Sequence, residues 1–184
     1  MSEKLLLVTQ SGETYDPMTG FMSKIVEDDI VYALSNLCRF AGHTKKFYSV
    51  AEHSLLVSLI AHEKWPMDRA TQWAALWHDA TEAYVGDLIS PIKQLFPEFK
   101  QLEEQVAQRI REELKIENTH EINEKVKEAD YIALGLESEF LMPKAVHIPK
   151  QPKYVHLIKS LLGVSSPRLV RILFKQFITE MRNK

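Results

Sequence analysis

From Asp28 onward, apolar residues recur at intervals of three and four, the spacing that lays one face of an α-helix on a core. DDIVYALSNLCRF carries Ile30, Ala33, Leu34 and Leu37 in this way, with Asp28 or Asp29 available as the N-cap. SVAEHSLLVSLIAHEKW reads as a second helix capped by Ser49, and Pro66 separates it from MDRATQWAALWHDATEAYV, a third. GDLISPIKQLF reads as a turn and a short helical piece. PEFKQLEEQVAQRIREELKI spaces Leu102, Val106, Ile110 and Leu114 by fours, and HEINEKVKEADYIALGLESEFLM is another long helix. SSPRLVRILFKQFITEMRNK closes the chain, with Ser166 at the cap and Pro167 in the first turn. AGHTKKFY and the three-proline stretch MPKAVHIPKQPKYV read as loops. Ahead of the helices, LLLVTQSGETYDP reads as a strand, a Ser-Gly turn and a second strand. The fold class expected is all-α, a helical bundle with a small N-terminal β-hairpin. No repeat, low-complexity tract or linker divides the sequence, so residues 1–184 are expected to form one domain.

Composition narrows the function. The 184 residues are 45% apolar and 26% charged, enough for a sizeable core. The net charge is −2 with no long run of one sign, which argues against a nucleic-acid polymer as partner. Cys38 is the only cysteine, so neither an internal disulfide nor a thiolate metal cluster can form. The start, MSEKLLLVTQSGE, has too short an apolar run for a signal peptide, and no stretch reaches membrane-spanning length. The expectation is a cytoplasmic protein with no membrane partner.

Four ionisable residues fall where helices want apolar ones. His53 shares a stripe with Val50, Leu56, Val57 and Ile60, and Asp130 shares one with Val126, Ala133 and Leu134. His78 and Asp79 follow directly on the Trp-rich apolar helix. An unpaired carboxylate on an apolar face is costly and needs a partner. Two imidazoles and two carboxylates make an N/O site suited to a divalent transition metal, with open positions left for water and substrate. Adjacent residues on a helix diverge by roughly 100°. His78 and Asp79 can therefore share an ion only if it sits beside the helix and both side chains bend toward it. Glu82 lies four residues after His78, on the same face of a continuous helix, where it can orient or deprotonate a water. Asp87 can do likewise or cap the next short helix. Arg39, Lys45, Lys46 and Lys93 are the cations near these segments.

Taken singly, each residue has a plainer reading. His53 alone reads as a hydrogen-bonded core histidine, Asp130 as a cap or the partner of a Lys, and Glu82 as a solvated helix residue. Lys45 and Lys46 read as solvent-exposed, and Trp73, Trp77 and Tyr84 as core rather than a base-stacking platform. A plain helical scaffold whose buried polar groups pair among themselves therefore competes with the metal site.

The whole string is more specific than any single residue. His53 in SVAEHS, His78-Asp79 in LWHDATEA and Asp130 in KEADYIA resemble the pattern of HD-domain metal-dependent phosphohydrolases. HDATEAYVGDLISPIK is similar to the extended motif of the 5′-deoxynucleotidase branch, with its acid three residues after the Asp and a Gly-Asp, Pro, Lys tail. RFAGHTKKFYSVAEHS resembles the segment upstream of the first metal His in bacterial and phage members. The resemblance covers residues 5–142. It implies that His53, His78, Asp79 and Asp130 bind one divalent cation (Co, Mn, Zn or Mg). It implies Glu82 and Asp87 as catalytic acids that position the water and the leaving group. Arg39 and Phe40 correspond to an Arg-aromatic pair that holds phosphate and lines the nucleoside pocket. His43, Lys45 and Lys46 fall on a loop that closes over the phosphate, and Lys93 faces it.

The implied activity is hydrolysis of deoxynucleoside 5′-monophosphates, with a small-molecule nucleotide as partner. A deoxynucleoside triphosphate triphosphohydrolase, as some phage relatives resemble, and a non-catalytic nucleotide-binding module are the alternatives. Cyclic nucleotides and (p)ppGpp are substrates of other HD branches. Members of the branch tend to self-associate, which implies a homo-oligomer. Leu169, Ile172, Leu173 and Phe177 of the last helix are expected to pack on the core rather than to form an interface.

Overall fold

The computed structural model describes residues 6–17, 19, 21–144, 148–164 and 166–183. The elements run β1 Leu7–Val8, β2 Thr14–Asp16, β3 Phe21–Met22, α1 Glu27–Asn36, α2 Val50–Lys64 and α3 Arg69–Leu76. They continue as α4 Glu82–Val85, α5 Ser90–Lys93, α6 Pro97–Leu114, α7 His120–Leu141, α8 Val155–Leu161 and α9 Pro167–Asn183. Short 3₁₀ segments lie at Arg39–Gly42 and Pro152–Tyr154. The architecture is the expected all-α bundle with a small N-terminal sheet. Residues 1–5, where the leader was sought, and 145–147 of the three-proline loop lie outside the described residues. No described helix is long and apolar enough to cross a membrane.

α2 sits at the centre because it is apolar nearly all round: Val50, Ala51, Leu55, Leu56, Val57 and Ile60 are all buried. Truncating one of its leucines to Ala should cost about 2–5 kcal/mol. α3 and α7 pack against it and against each other. The Ser58 hydroxyl donates to the Gln72 carbonyl at 2.9 Å, drawing α2 to α3. Ser49 caps α2 as expected, within a full capping box. The Glu52 amide donates to the Ser49 hydroxyl, and the Ser49 amide donates to the Glu52 carboxylate at 2.7 Å. Glu52 is therefore a buried acid wholly committed to a helix end.

Four local readings change. The sheet has three antiparallel strands in the order β1-β2-β3, not two, because Phe21–Met22 pairs with Tyr15 and Asp16. α1 is not capped by Asp28 or Asp29; Val26 stands at the cap without a side-chain bond. Asp29 is buried instead and accepts hydrogen bonds from Thr9 and Ser11, which fastens the N-terminal turn to α1. α8 occupies a stretch not assigned from sequence, where Ile158 and Leu161 supply too short an apolar pattern to stand out. In α9 the buried stripe is Val170, Phe174, Ile178 and Met181, one position away from the residues chosen. Leu169 and Ile172 are exposed, while Leu173 and Phe177 pack on the core edge.

Candidate metal centre and active site

The third helix does not run through the His-Asp pair. α3 stops at Leu76, and Trp77 takes non-helical angles of φ −110° and ψ 10°. Ala80, Glu82 and Tyr84 then donate to the carbonyls three residues earlier, Trp77, Asp79 and Thr81, a tight turn that leads into the short α4. No Gly or Pro marks this break. The buried Trp77 ring sits 5.6 Å from Trp73 and 5.3 Å from Phe174, so tertiary packing accompanies it. The turn removes the geometric difficulty of two adjacent helical residues diverging by about 100°. His78 Nε2 and Asp79 Oδ2 come within 3.3 Å of each other. The face-sharing argument for Glu82, which assumed one continuous helix, does not hold. Glu82 is brought to the site by the turn, and Gly86, at φ +80°, ends α4 just before Asp87.

α2 contributes His53, whose Nε2 lies 3.2 Å from His78 Nε2, 3.5 Å from Asp79 Oδ2 and 3.1 Å from Asp130 Oδ1 on α7. Donor atoms of His53, His78 and Asp79 all fall within 4.8 Å of one another. Each imidazole is tied off on its far side. His78 Nδ1 lies 2.8 Å from the Ala75 carbonyl, which can only accept, so Nδ1 carries a proton and Nε2 is bare in the neutral ring. His53 Nδ1 lies 2.6 Å from Glu137 Oε1. With both rings neutral, two bare ring nitrogens meet the Asp79 carboxylate, with Asp130 against His53, and this crowding favours positive charge there, whether a proton or a cation. The donor set fits a divalent cation, all nitrogen and oxygen with no thiolate.

Protonation reflects the same crowding. Burial opposes a charge on His53, and so does Arg39, yet the Glu137 and Asp130 carboxylates hold its pKa up at about 10. Burial would raise the Asp79 pKa, but His78, His53 and Arg39 hold it far below the ordinary carboxylate range. Glu82 goes the other way. Burial first, then the charges of Asp79 and Asp87, push its pKa up to about 9, and its Oε2 has no hydrogen-bond partner. Asp87 is also raised, by burial, against the pull of Arg39.

Arg39 reaches this cluster from the 3₁₀ segment. Its amide donates to the Tyr48 carbonyl at 3.0 Å, and the Val50 amide donates to the Leu37 carbonyl, which lays the segment against the start of α2. The guanidinium donates to Asp79 Oδ2 at 3.4 Å and to Glu137 Oε2 at 3.3 Å. Its carbon lies 5.3 Å from the Phe40 ring centre, a cation–π distance. The other cations are turned elsewhere. Lys93 pairs with Glu103 at 2.7 Å, and the Lys46 ammonium donates to the Leu162 carbonyl. His43 and Lys45 are exposed, and the Lys45 amide fixes the loop to the Leu141 carbonyl at 2.9 Å. Beside the cluster, a cavity of about 270 Å³ is lined by His78, Asn123, Val126, Lys127 and Asp130.

Glu137 escaped the sequence reading. It lies seven residues after Asp130, two turns along the same face of α7, and is fully buried. The signal that singled out Asp130, an acid on an apolar stripe, was present again beside Ala133, Leu136 and Leu141.

A helical bundle that gathers a His and a His-Asp pair, with an Asp against the first His, has the arrangement of an HD-domain protein. Residues 29–138 match the family described as 5′-deoxynucleotidase YfbR-like, and the chain belongs to that family. It is 42% identical over 113 residues to the uncharacterized protein YfdR of Escherichia coli (strain K12), covering 61% of this chain and 59% of that protein. The match thus spans about three-fifths of that relative's length. It is 33% identical over 135 residues to an uncharacterized protein of Rhodobacter capsulatus, covering 70% of this chain and 69% of the other.

Proposed function

We propose that the protein is a metal-dependent phosphohydrolase of deoxynucleoside 5′-monophosphates. The observation that carries this reading is the convergence of two tied-off imidazoles and two carboxylates beside a buried Glu with a free oxygen. His53, His78, Asp79 and Asp130 would hold the cation, which supplies Lewis acidity and acidifies water. Glu82 takes the proton of the attacking water, since a carboxylate of raised proton affinity is a strong base once ionised. Asp87, with its own raised pKa, delivers a proton to the departing ester oxygen. The water oxygen bonds to phosphorus, the phosphorus–O5′ bond breaks, and the products are nucleoside and inorganic phosphate. Arg39 binds phosphate oxygens and stacks on Phe40.

A single phosphate is favoured over three because Lys93 and Lys46 are engaged away from the cluster, whereas Arg39 contacts it. The test is an assay of protein loaded with Mn, Co, Mg or Zn against all deoxy- and ribonucleoside mono- and triphosphates, with products resolved by chromatography. Inorganic phosphate from deoxynucleoside monophosphates is the expected result. Tripolyphosphate from triphosphates would replace this reading with a triphosphohydrolase, and no turnover with metal bound would replace it with a binding module.

A further inference from the structure

We propose that Glu137 is a positioning residue that decides which nitrogen of His53 is offered to the metal and anchors Arg39 beside it. The proposal rests on the metal reading above. One carboxylate serves both neighbours: Oε1 lies 2.6 Å from His53 Nδ1 and Oε2 accepts from Arg39 Nη2 at 3.3 Å. Glu137 is fully buried in the C-terminal part of α7, so bulk water does not compete for either contact. A carboxylate facing Nδ1 keeps the proton there and leaves the Nε2 lone pair toward His78, Asp79 and Asp130. The same negative charge raises the basicity of that nitrogen as a ligand. The buried Tyr48 hydroxyl also lies near Glu137 and helps hold its carboxyl low.

The Arg39 contact extends the role beyond the histidine. Arg39 spans from Glu137 to Asp79, so one buried acid aligns a ligand on one side and a phosphate-binding cation on the other. Removing its charge should loosen both together, which a residue that merely fills space would not do.

Two measurements test this. In ¹⁵N NMR of the zinc-loaded wild-type protein, His53 should keep its proton on Nδ1 and show the metal shift on Nε2. A proton on Nε2 with zinc at Nδ1 would overturn the proposal without any variant. Glu137→Gln keeps the volume and an accepting oxygen but loses the charge. Its zinc dissociation constant should rise about 10–100-fold, and KM for a monophosphate should rise while the folded fraction by circular dichroism stays unchanged. A folded variant with wild-type zinc affinity and KM would sink the role. A wild-type protein that binds none of the metals named would sink the metal reading and this proposal with it.

Discussion

Glu82 and Glu137 are the same residue type, both buried beside one cluster, and they are treated in opposite ways. Glu137, on α7, meets His53 and Arg39. Burial works to raise its pKa, but the Arg39 and His53 charges outweigh it and hold the carboxyl below its usual range. Glu82, on α4, has an oxygen without a partner, and burial together with Asp79 and Asp87 lifts its pKa to about 9. One acid is locked into the frame, and the other is held destabilised and available. Environments that push two carboxyl groups apart in this way separate structural from reactive roles.

The largest expected effect tests the reactive side. Glu82→Gln should lower kcat by about 10²–10⁴-fold, the usual contribution of one proton-transferring group, with metal content unchanged by elemental analysis. A kcat within a factor of two of wild type would remove Glu82 from the chemistry and erase the contrast. The next effect tests the frame. Glu137→Ala strips a buried ion-pair partner from Arg39 and should cost about 3–5 kcal/mol in denaturant unfolding. A loss under about 1 kcal/mol would mean that Glu137 is not a frame residue.

Stability should then move the other way for Glu82. Its folded pKa lies above the ordinary value of 4.5, so between these values the folded state binds the extra proton. The Glu82 contribution to the stability of the metal-free protein therefore falls as pH rises from about 4.5 to about 9. Glu82→Gln removes that penalty. The variant should melt higher than wild type in chelator, by a margin that grows from pH 5 to pH 9. Parallel melting curves across this range would show that Glu82 is not held away from its preferred charge state.

The sequence carried one side of this contrast better than the other. Glu82, Asp79 and His78 are contiguous in WHDATEAYVGD, so a motif could point to them, although the turn that assembles them carries no local breaker. Helix periodicity located α2 and α7, with His53 on the buried face of the first and Asp130 at the edge of the buried face of the second. It could not say that the Glu137 carboxylate meets a ring 84 residues earlier in the chain, because that contact is set by how α7 packs on α2. The same limit applies to α9, where two apolar stripes lie side by side and packing alone chooses Val170, Phe174 and Ile178. Asp29 shows the converse. Its sequence position suggests a helix cap, but a fold that brings Thr9 and Ser11 near gives it better donors.

The smallest effect concerns the segment that carries Arg39 between Glu137 and Asp79. Phe40 and Ala41 take successive left-handed angles, φ 54° and φ 50°, in a region that costs non-glycine residues about 1–2 kcal/mol each. Phe40 stacks under the Arg39 guanidinium, so its ring is used. Ala41 is exposed, so its methyl buries little surface in return. Ala41→Gly relieves the local strain, while the freer unfolded chain takes back about 0.5–1 kcal/mol. The net is a gain of about 0–1.5 kcal/mol, or at most about 6 °C in Tm for a chain of this size. If the strain also serves to aim Arg39, the glycine variant should bind phosphate less well, with KM raised about two- to fivefold and kcat unchanged. A lower Tm with unaltered KM would show that the angles are unstrained in place and that Arg39 is aimed by Glu137 and Asp79 alone.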